Sequence, residues 1–317
     1  MPMTDLSVIV PVYGVEAWIG RCAESLLAQT LDAERVEYIF VDDCSPDGSV
    51  GILEEVIARY PSRRCTVLRH EENRGLPAAR NTGLAAATGR YVYHCDSDDC
   101  LEPEMLLNLL DAALAADADI AWCDFYLDYG DRRRRMAARD YPDADALLRR
   151  GFLAGDMKYN VWNKLVLRDL YDGVEFPAGH SMGEDMTMIL LAARASKVAY
   201  VPEALYNYNL ANGGAMSHSF SSLQIGDIEF NVGRVEAFLG ADYASDILLF
   251  KLNVKLPLLL TGRREDLERW RGWYPEADGA VWRNRELPFR TLLLQFMASR
   301  GCWWYVRLYN SLLKKLA

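Results

Sequence analysis

Hydrophobic and polar positions alternate in blocks over the first 130 or so residues, and the blocks have the lengths of strands and helices. Short runs rich in β-branched and aromatic residues predict five buried strands, at 6–12, 36–41, 65–68, 90–95 and 120–127. Apolar residues recur with helical spacing between these runs, at 15–29, 47–60, 77–87 and 103–116. This alternation predicts βαβ units, so we expect an α/β fold with a mostly parallel central sheet and helices on both faces.

The pattern becomes helical throughout from about Ser221 onward. The periodicity predicts helices at 223–239, 243–260, 265–273, 289–300 and 303–316. We therefore expect an α/β domain over residues 1–220 and a helical C-terminal region over residues 221–317.

Composition and charge exclude several classes of protein. The chain has 317 residues, of which 51% are hydrophobic, so it can bury a sizeable core. Its net charge of −10 argues against nucleic-acid binding, which requires a basic surface. The seven cysteines include no C-x-x-C pair, and no apolar run approaches the ~20 residues of a membrane-spanning helix. We expect reduced thiols and a cytoplasmic location.

Polar side chains gather where three of the predicted strands end. Pro11-Val12-Tyr13, Asp42-Asp43 and Asp96-Ser97-Asp98-Asp99 each follow or close an apolar run. Parallel strands bring their carboxyl ends to one edge of a sheet, where ligands bind in such folds. The sequence therefore predicts a binding site built from these three segments.

The acidic segment at 96–99 favours a metal ion. Three carboxylates within four residues repel one another unless a cation neutralises them. Mg²⁺ or Mn²⁺ takes one or two carboxylates and completes its shell with substrate phosphates and water. This D-x-D arrangement thus suits a substrate with a diphosphate, while the alternative is an acidic turn that caps the helix expected at 103–116.

Two other segments suit a nucleotide. A carboxylate at Asp42 or Asp43 can accept a hydrogen bond from a nucleobase or a ribose, although a plain turn and helix cap would use the same residue types. Arg74 and Arg80 lie at the entrance and first turns of the helix at 77–87, where a guanidinium and backbone N–H groups suit an anion. A capped amphipathic helix is the alternative for that segment.

Taken together, these segments resemble the inverting family-two glycosyltransferases of the GT-A fold. The matching segments, in chain order, are 7–13, 40–49, 73–84 and 96–99. Segments similar to later signatures of the bacterial polysaccharide-building branch follow at 161–165, 183–187, 205–208 and 216–218. One departure is Cys44, where the family most often has Gly, and it matters only if the turn requires a positive φ.

The resemblance implies roles for the matched residues. The nucleotide and its sugar would contact Pro11, Val12, Tyr13, Asp42, Asp43, Arg74, Arg80, Asp96 and Ser97. Mg²⁺ or Mn²⁺ would be held by Asp98 and Asp96, with Asp98 ahead of Asp96 as the direct ligand. His218 would complete the metal shell or contact a phosphate, unless it is a surface histidine in a loop. Asp185 is the expected general base, and Glu184 is the competing candidate.

The resemblance also implies an activity. We expect an inverting hexosyltransferase that moves a monosaccharide from a nucleotide sugar, a UDP-sugar in our expectation, to a glycan or lipid-linked saccharide of the bacterial cell envelope. The alternative is a catalytically inactive nucleotide-sugar-binding module of the same fold. A P-loop kinase and a Rossmann dehydrogenase are excluded because neither glycine-rich motif is present.

The last predicted helix raises a question of partners. The segment 301–316 combines aromatic residues with Arg307, Lys314 and Lys315 and has no acidic residue. This composition suits the inner face of the cytoplasmic membrane, where lipid-linked acceptors lie. Packing on the catalytic domain or against a second subunit in a homodimer would use the same residues, and the sequence leaves these alternatives open.

Overall fold

The computed structural model describes residues 4–212, 222–261 and 263–316. These residues fall into two compact units. The first contains residues up to 144 together with 159–233, and the second contains 145–158 together with the residues from 234 onward. Within the described residues, no helix is long and apolar enough to cross a membrane.

The first unit is built on a sheet to which nine strands contribute in the described part of the chain. The strands are β1 (Leu6–Val12), β2 (Val36–Asp42), β3 (Arg64–Arg69), β4 (Tyr91–His94), β5 (Cys100–Leu101), β6 (Ile120–Asp128), β7 (Arg133–Met136), β8 (Lys164–Leu167) and β9 (Val198–Asn209). Their order across the sheet is β3-β2-β1-β4-β8-β6-β9-β5, and β7 pairs with β6. The five strands predicted from the sequence are all present.

The fold class is confirmed, and the direction of the later strands refines it. β1, β2, β3 and β4 pair in parallel, as the βαβ pattern predicts. β8 then lies between β4 and β6 and runs antiparallel to both. β5 pairs antiparallel with β9, and β7 pairs antiparallel with β6. The last strand, β9, is again parallel to its neighbour β6, so the sheet is mixed.

Helices accompany the strands at the predicted positions. The first unit contains α1 (Ile19–Leu27), α2 (Ser49–Ala58), α3 (Leu76–Ala86), α4 (Met105–Ala116), α6 (Thr187–Ala192) and most of α7 (Ser222–Leu239). Between α4 and α6, α5 (Ala144–Ala146) runs from the last residue of this stretch of the first unit into the second unit, where it continues as a π-helix at Leu147–Leu153. The 3₁₀ turns at Arg168–Tyr171 and Glu184–Met186 belong to the first unit. All seven residues of β1 are buried, as expected for a central strand covered on both faces.

The approach of α3 to β1 depends on a glycine. A Cβ added at Gly83 would lie 2.3 Å from Cγ2 of Ile9, which is closer than real contacts allow. Gly83 therefore lets α3 lie directly on β1, and this places Arg80 of the same helix behind the carboxyl ends of the strands.

The second unit is helical. It contains α8 (Ala244–Thr261), α9 (Arg264–Gly272), α10 (Phe289–Ser299) and α11 (Trp303–Leu316), with 3₁₀ turns at Ala241–Tyr243 and Pro275–Arg283. Its buried cation Lys255 on α8 is matched by the carboxylate of Asp278 and lies 4.0 Å from the ring centre of Trp270. A small apolar core around Leu252, Ala280 and Val281 holds these helices together.

Candidate active site

The ends of β1, β2 and β4 lie side by side at one edge of the sheet. Val12 is opposite Asp42 in the parallel register, and the N–H of Asp43 donates to the carbonyl of Val12 over 2.9 Å. The N–H of Cys95 donates to the carbonyl of Ile9 over 3.0 Å, which brings the acidic segment after β4 to the same edge. The three segments singled out in the sequence are thus neighbours in space.

The residues that follow β1 offer one exposed ring at this edge. Pro11 and Val12 are buried in the strand, whereas the side chain of Tyr13 is 49% exposed. Ser97 is buried after β4. Tyr13 is therefore the accessible member of the predicted Pro11-Val12-Tyr13 group.

The turn after β2 contains a residue in a conformation that favours glycine. Asp42 accepts a hydrogen bond from the N–H of Ser45 over 2.9 Å, and this closes a turn in which Cys44 has φ +61°. The left-handed conformation costs a residue with a Cβ roughly 1–2 kcal/mol. The turn therefore does require a positive φ, and the Cys in place of Gly carries an energetic cost.

Asp43 organises the loop that leads into α3. Its carboxylate accepts hydrogen bonds from the N–H of Arg74 over 2.8 Å and of Gly75 over 2.7 Å. It also pairs with Nδ1 of His70 at 2.6 Å, and the other ring nitrogen of His70 lies 2.9 Å from the Thr82 hydroxyl. Asp43 thus supports the turn, and Arg74 joins this arrangement through its backbone while its side chain is exposed.

His70 is a site residue that sequence reasoning missed. It directly follows β3, whose last residue Arg69 is paired with Asp42, so its position at a strand end was the one available signal.

A buried arginine joins the two groups of acids. Arg80 is 1% exposed, and its Nη2 donates to Oδ1 of Asp96 over 2.8 Å and lies 3.6 Å from Oε1 of Glu184. Its guanidinium also lies over the ring of Phe176, at 5.6 Å from the ring centre. Burial alone would lower the pKa of Arg80, but the carboxylates of Asp96 and Glu184 raise it. Arg80 is therefore a permanent cation between the strand-end acids and the segment at 184–186.

Glu184 and Asp185 differ in their electrostatic surroundings. Both lie in the 3₁₀ turn that follows Gly183 and precedes α6, and Glu184 is buried. Burial and the adjacent charge of Asp185 raise the pKa of Glu184 to about 8, against the opposing effect of Arg80. The surroundings of Glu184 therefore disfavour its charged form, and Arg80 is the group that opposes this effect.

Two further groups act on Asp185. Lys164 at the start of β8 is buried and donates to the carbonyl of Asn160 over 2.7 Å and to Oδ1 of Asn163 over 2.8 Å. Burial lowers the pKa of Lys164 to about 7, while the charge of Asp185 acts in the opposite direction. Burial raises the pKa of Tyr159, and Asp185 adds to that effect. Sequence reasoning missed Tyr159, since a lone tyrosine in a loop carries no signal.

The remaining acids after β4 have different surroundings. Asp98 accepts a hydrogen bond from the Asn212 amide over 2.8 Å, and burial followed by the charge of Asp96 raises the pKa of Asp98. Asp99 is turned inward, where it accepts hydrogen bonds from the Tyr206 hydroxyl and from the N–H of Asn209. Asp96 and Asp98 are thus the partly exposed carboxylates of the segment, and Asp99 fixes it to β9.

A predicted metal ligand lies outside this description. His218 falls within residues 213–221, which the structure does not describe. Among the residues that are described, no group of three or more His, Cys, Asp or Glu side chains is arranged to hold a metal ion.

Helix α7 holds the loop that precedes Glu184. Oδ2 of Asp227 accepts a hydrogen bond from the N–H of Met182 over 3.2 Å, and Oδ1 lies 3.1 Å from Nδ1 of His180. The amide of Asn231 donates to the carbonyl of Met182 over 3.1 Å. The ring of His180 stacks on Phe230 with 3.7 Å between ring centres. This contact set, the α7 clamp, fixes the backbone two residues before Glu184.

This sheet, with paired acids at its strand ends, is that of a glycosyltransferase of the GT-A type. Residues 7–187 match the family described as glycosyl transferase family 2, and the chain belongs to that family. The chain is 35% identical over 214 residues to the uncharacterized glycosyltransferase EpsJ of Bacillus subtilis (strain 168). That match covers 64% of this chain and spans 60% of the length of EpsJ.

Solved structures share the fold. The structure of residues 1–349 of S. aureus TarS in complex with UDP-GlcNAc superposes with a TM-score of 0.70 at 20% identity, over 98% of this chain and 92% of TarS. The mannosyltransferase PcManGT of Pyrobaculum calidifontis, in complex with GDP-Man and Mn²⁺, has a TM-score of 0.58 at 17% identity, over 98% of this chain and 84% of that one. At these identities the likeness shows the fold alone.

Proposed function

We propose that this protein transfers a monosaccharide from a nucleotide sugar, a UDP-sugar in our expectation, to a sugar hydroxyl of a glycan or lipid-linked saccharide, with inversion at the anomeric carbon. The observation that carries the proposal is the buried Arg80, which joins Asp96 at the strand ends to Glu184 beside Asp185. Such a link holds the donor-side and acceptor-side acids at a fixed separation, as a direct displacement at one carbon requires.

The donor would occupy the edge formed by β1, β2 and β4. The nucleobase of the donor would lie beside Asp42 and the exposed ring of Tyr13, because a buried carboxylate at a strand end can accept a hydrogen bond from a nucleobase N–H. That TarS binds UDP-GlcNAc in the same fold supports a nucleotide sugar as the donor.

The residues at this edge fit a divalent cation. Asp96 and Asp98 are two partly exposed carboxylates in one short segment, and such oxygen donors are what Mg²⁺ and Mn²⁺ take alongside phosphate oxygens. The complex of PcManGT with Mn²⁺ supports the same choice. When bound, the ion would stabilise the charge that develops on the departing diphosphate.

Asp185 would act as the general base. It would accept the proton of the acceptor hydroxyl while that oxygen forms a bond to the anomeric carbon and the bond to the diphosphate breaks on the opposite face. The neighbouring Glu184 is less suited to this role, since it is buried with its Oε1 3.6 Å from Arg80, whereas Asp185 is partly exposed. The positive charge of the buried Lys164 would favour the charged form of Asp185.

Ligand binding tests the donor site. We expect UDP together with Mn²⁺ to raise the melting temperature, since a ligand that binds only the native state stabilises it by about 2.7 kcal/mol at a hundredfold excess over its Kd. EDTA and Asp98→Ala should remove most of this shift, whereas Asp111→Ala on the exposed side of α4 should retain it. An undiminished shift in Asp98→Ala or in EDTA would contradict the metal role. Binding of a UDP-sugar without any transfer would identify an inactive binding module instead.

The α7 clamp predicts a second effect. Asp227→Asn removes the charge that pairs with His180 and weakens the hold on Met182, so the loop before Glu184 should shift. We expect kcat for transfer to fall about 10- to 100-fold, the order that a displacement of about 1 Å produces. The matched variant Glu229→Gln, which changes an exposed acid on the same helix, should keep the full rate. Equal rates for Asp227→Asn and Glu229→Gln would show that the clamp does not position the site.

A further inference from the structure

Helix α11 presents an apolar stripe on its exposed side. Trp304, Leu308 and Leu312 recur at every fourth position and are 63%, 50% and 52% exposed. Residues with this spacing lie on one face of a helix. A stripe of one tryptophan and two leucines is more than scattered surface hydrophobicity, because its members are contiguous.

The opposite side of α11 fixes which face is exposed. Val306 is fully buried, and the buried amide of Asn310 donates to the carbonyl of Leu259 in α8 over 2.8 Å. These contacts lie within the second unit. Because these two residues, one turn apart, attach α11 to the unit that carries it, the face that bears the stripe is the outer one.

The charge of this part of the chain is opposite to that of the whole. Residues 287–317 contain five basic residues and no Asp or Glu, in a chain with a net charge of −10. The basic residues are Arg290, Arg300, Arg307, Lys314 and Lys315. Arg300 and Arg307 are exposed. Arg307 directly precedes Leu308, which is a member of the stripe. The apolar stripe thus lies in a locally positive segment.

An anionic membrane surface matches both properties. An interfacial helix buries tryptophan and leucine at the boundary of headgroups and acyl chains, and its basic residues face lipid phosphates. Each Lys or Arg near such a surface adds about 1 kcal/mol of attraction. A second copy of this chain matches less well, since a two-fold interface would bring the same basic segment against itself. One stripe of three side chains is also narrow for a stable dimer, which takes about 800 Å² from each partner.

We propose that α11 binds the surface of anionic bilayers through Trp304, Leu308 and Leu312, with the exposed Arg300 and Arg307 in contact with lipid phosphates. This binding would hold the enzyme where a lipid-linked acceptor is presented. It does not depend on the chemistry at Asp185 or on the donor site, so the two proposals can fail separately.

Vesicle flotation of the full chain tests this. We expect flotation with vesicles of phosphatidylcholine and phosphatidylglycerol, little with phosphatidylcholine alone, and a loss of binding in 0.5 M NaCl because salt screens the attraction. Leu308→Gln should reduce the fraction bound about tenfold, in line with the loss of one buried leucine. Arg307→Gln should weaken binding to anionic vesicles by about fivefold. Phe289→Ser, which changes an exposed ring outside α11, should float like the unmodified chain.

The opposing outcomes are equally distinct. Absence of flotation with anionic vesicles, or equal flotation of the intact chain and Leu308→Gln, would overturn the proposal. If sedimentation shows that the unmodified chain is a dimer and that Leu308→Gln is a monomer, the stripe binds a second copy of the chain instead. The melting-temperature shift with UDP and Mn²⁺ should be the same in Leu308→Gln as in the unmodified chain, which separates loss of membrane binding from loss of fold or of donor binding.

Discussion

Asp185→Asn is expected to lower the rate of sugar transfer by roughly 10²–10⁴-fold, the range for loss of acid–base assistance. The amide has the shape of the carboxylate but cannot accept the proton of the acceptor hydroxyl. Nucleotide binding should be unchanged, because Asp185 lies in the turn before α6 and not among the strand-end residues. Initial rates with a UDP-sugar donor, together with the melting-temperature shift by UDP and Mn²⁺, measure the two effects.

The matched variant for this test is Glu184→Gln. Glu184 is buried with its Oε1 3.6 Å from the guanidinium of Arg80, and glutamine keeps the size of the side chain and an oxygen that can accept from Arg80. We therefore expect Glu184→Gln to retain most of the activity at pH 7. A full rate in Asp185→Asn with a large loss in Glu184→Gln would reverse the assignment of the base.

Arg80→Met is expected to destabilise the first unit by about 3 kcal/mol, the order for breaking a buried ion pair from one side. Methionine fills much of the space on α3 but leaves Asp96 without its partner at 2.8 Å, and it removes the cation that offsets the charges of Glu184 and Asp185. Urea unfolding followed by circular dichroism would show a lower midpoint at an unchanged m-value.

The control for this second prediction comes from the same segment. Arg74 precedes α3 and has an exposed side chain, so Arg74→Met should change the unfolding free energy by less than about 0.5 kcal/mol. If Arg80→Met and Arg74→Met unfold at the same urea concentration, the buried ion pair does not contribute to stability.

The donor half of the fold could be predicted from the sequence because its elements are local and periodic. β1 to β4 and α1 to α4 each show their own pattern, and right-handed βαβ connections then place the strand ends together. β6 also shows its own apolar run, but the two-residue β5 and the strands after β6 gave no such signal. β8 is four residues long and β9 includes Pro202, so their pairing with β4 and β6 depends on contacts between distant residues.

The acceptor half of the site shows the same limit. The signature around Glu184 and Asp185 was visible, but the protonation of Glu184 depends on burial and on Arg80, about a hundred residues earlier in the chain. The roles of His70 and of the α7 clamp likewise arise from contacts across the fold, since His70 meets both Asp43 and Thr82. Residue type alone therefore does not specify the role of His70 or that of the α7 clamp.

The strained cysteine after β2 has a practical consequence. Among the seven cysteines, all of which lie in the described residues, Cys44 is the exposed one. A maleimide dye should therefore label the native protein mainly at this sulfur, immediately after the Asp42-Asp43 pair. A dye attached to Cys44 would therefore lie beside the proposed donor pocket, where its fluorescence could follow binding and release of the nucleotide in real time.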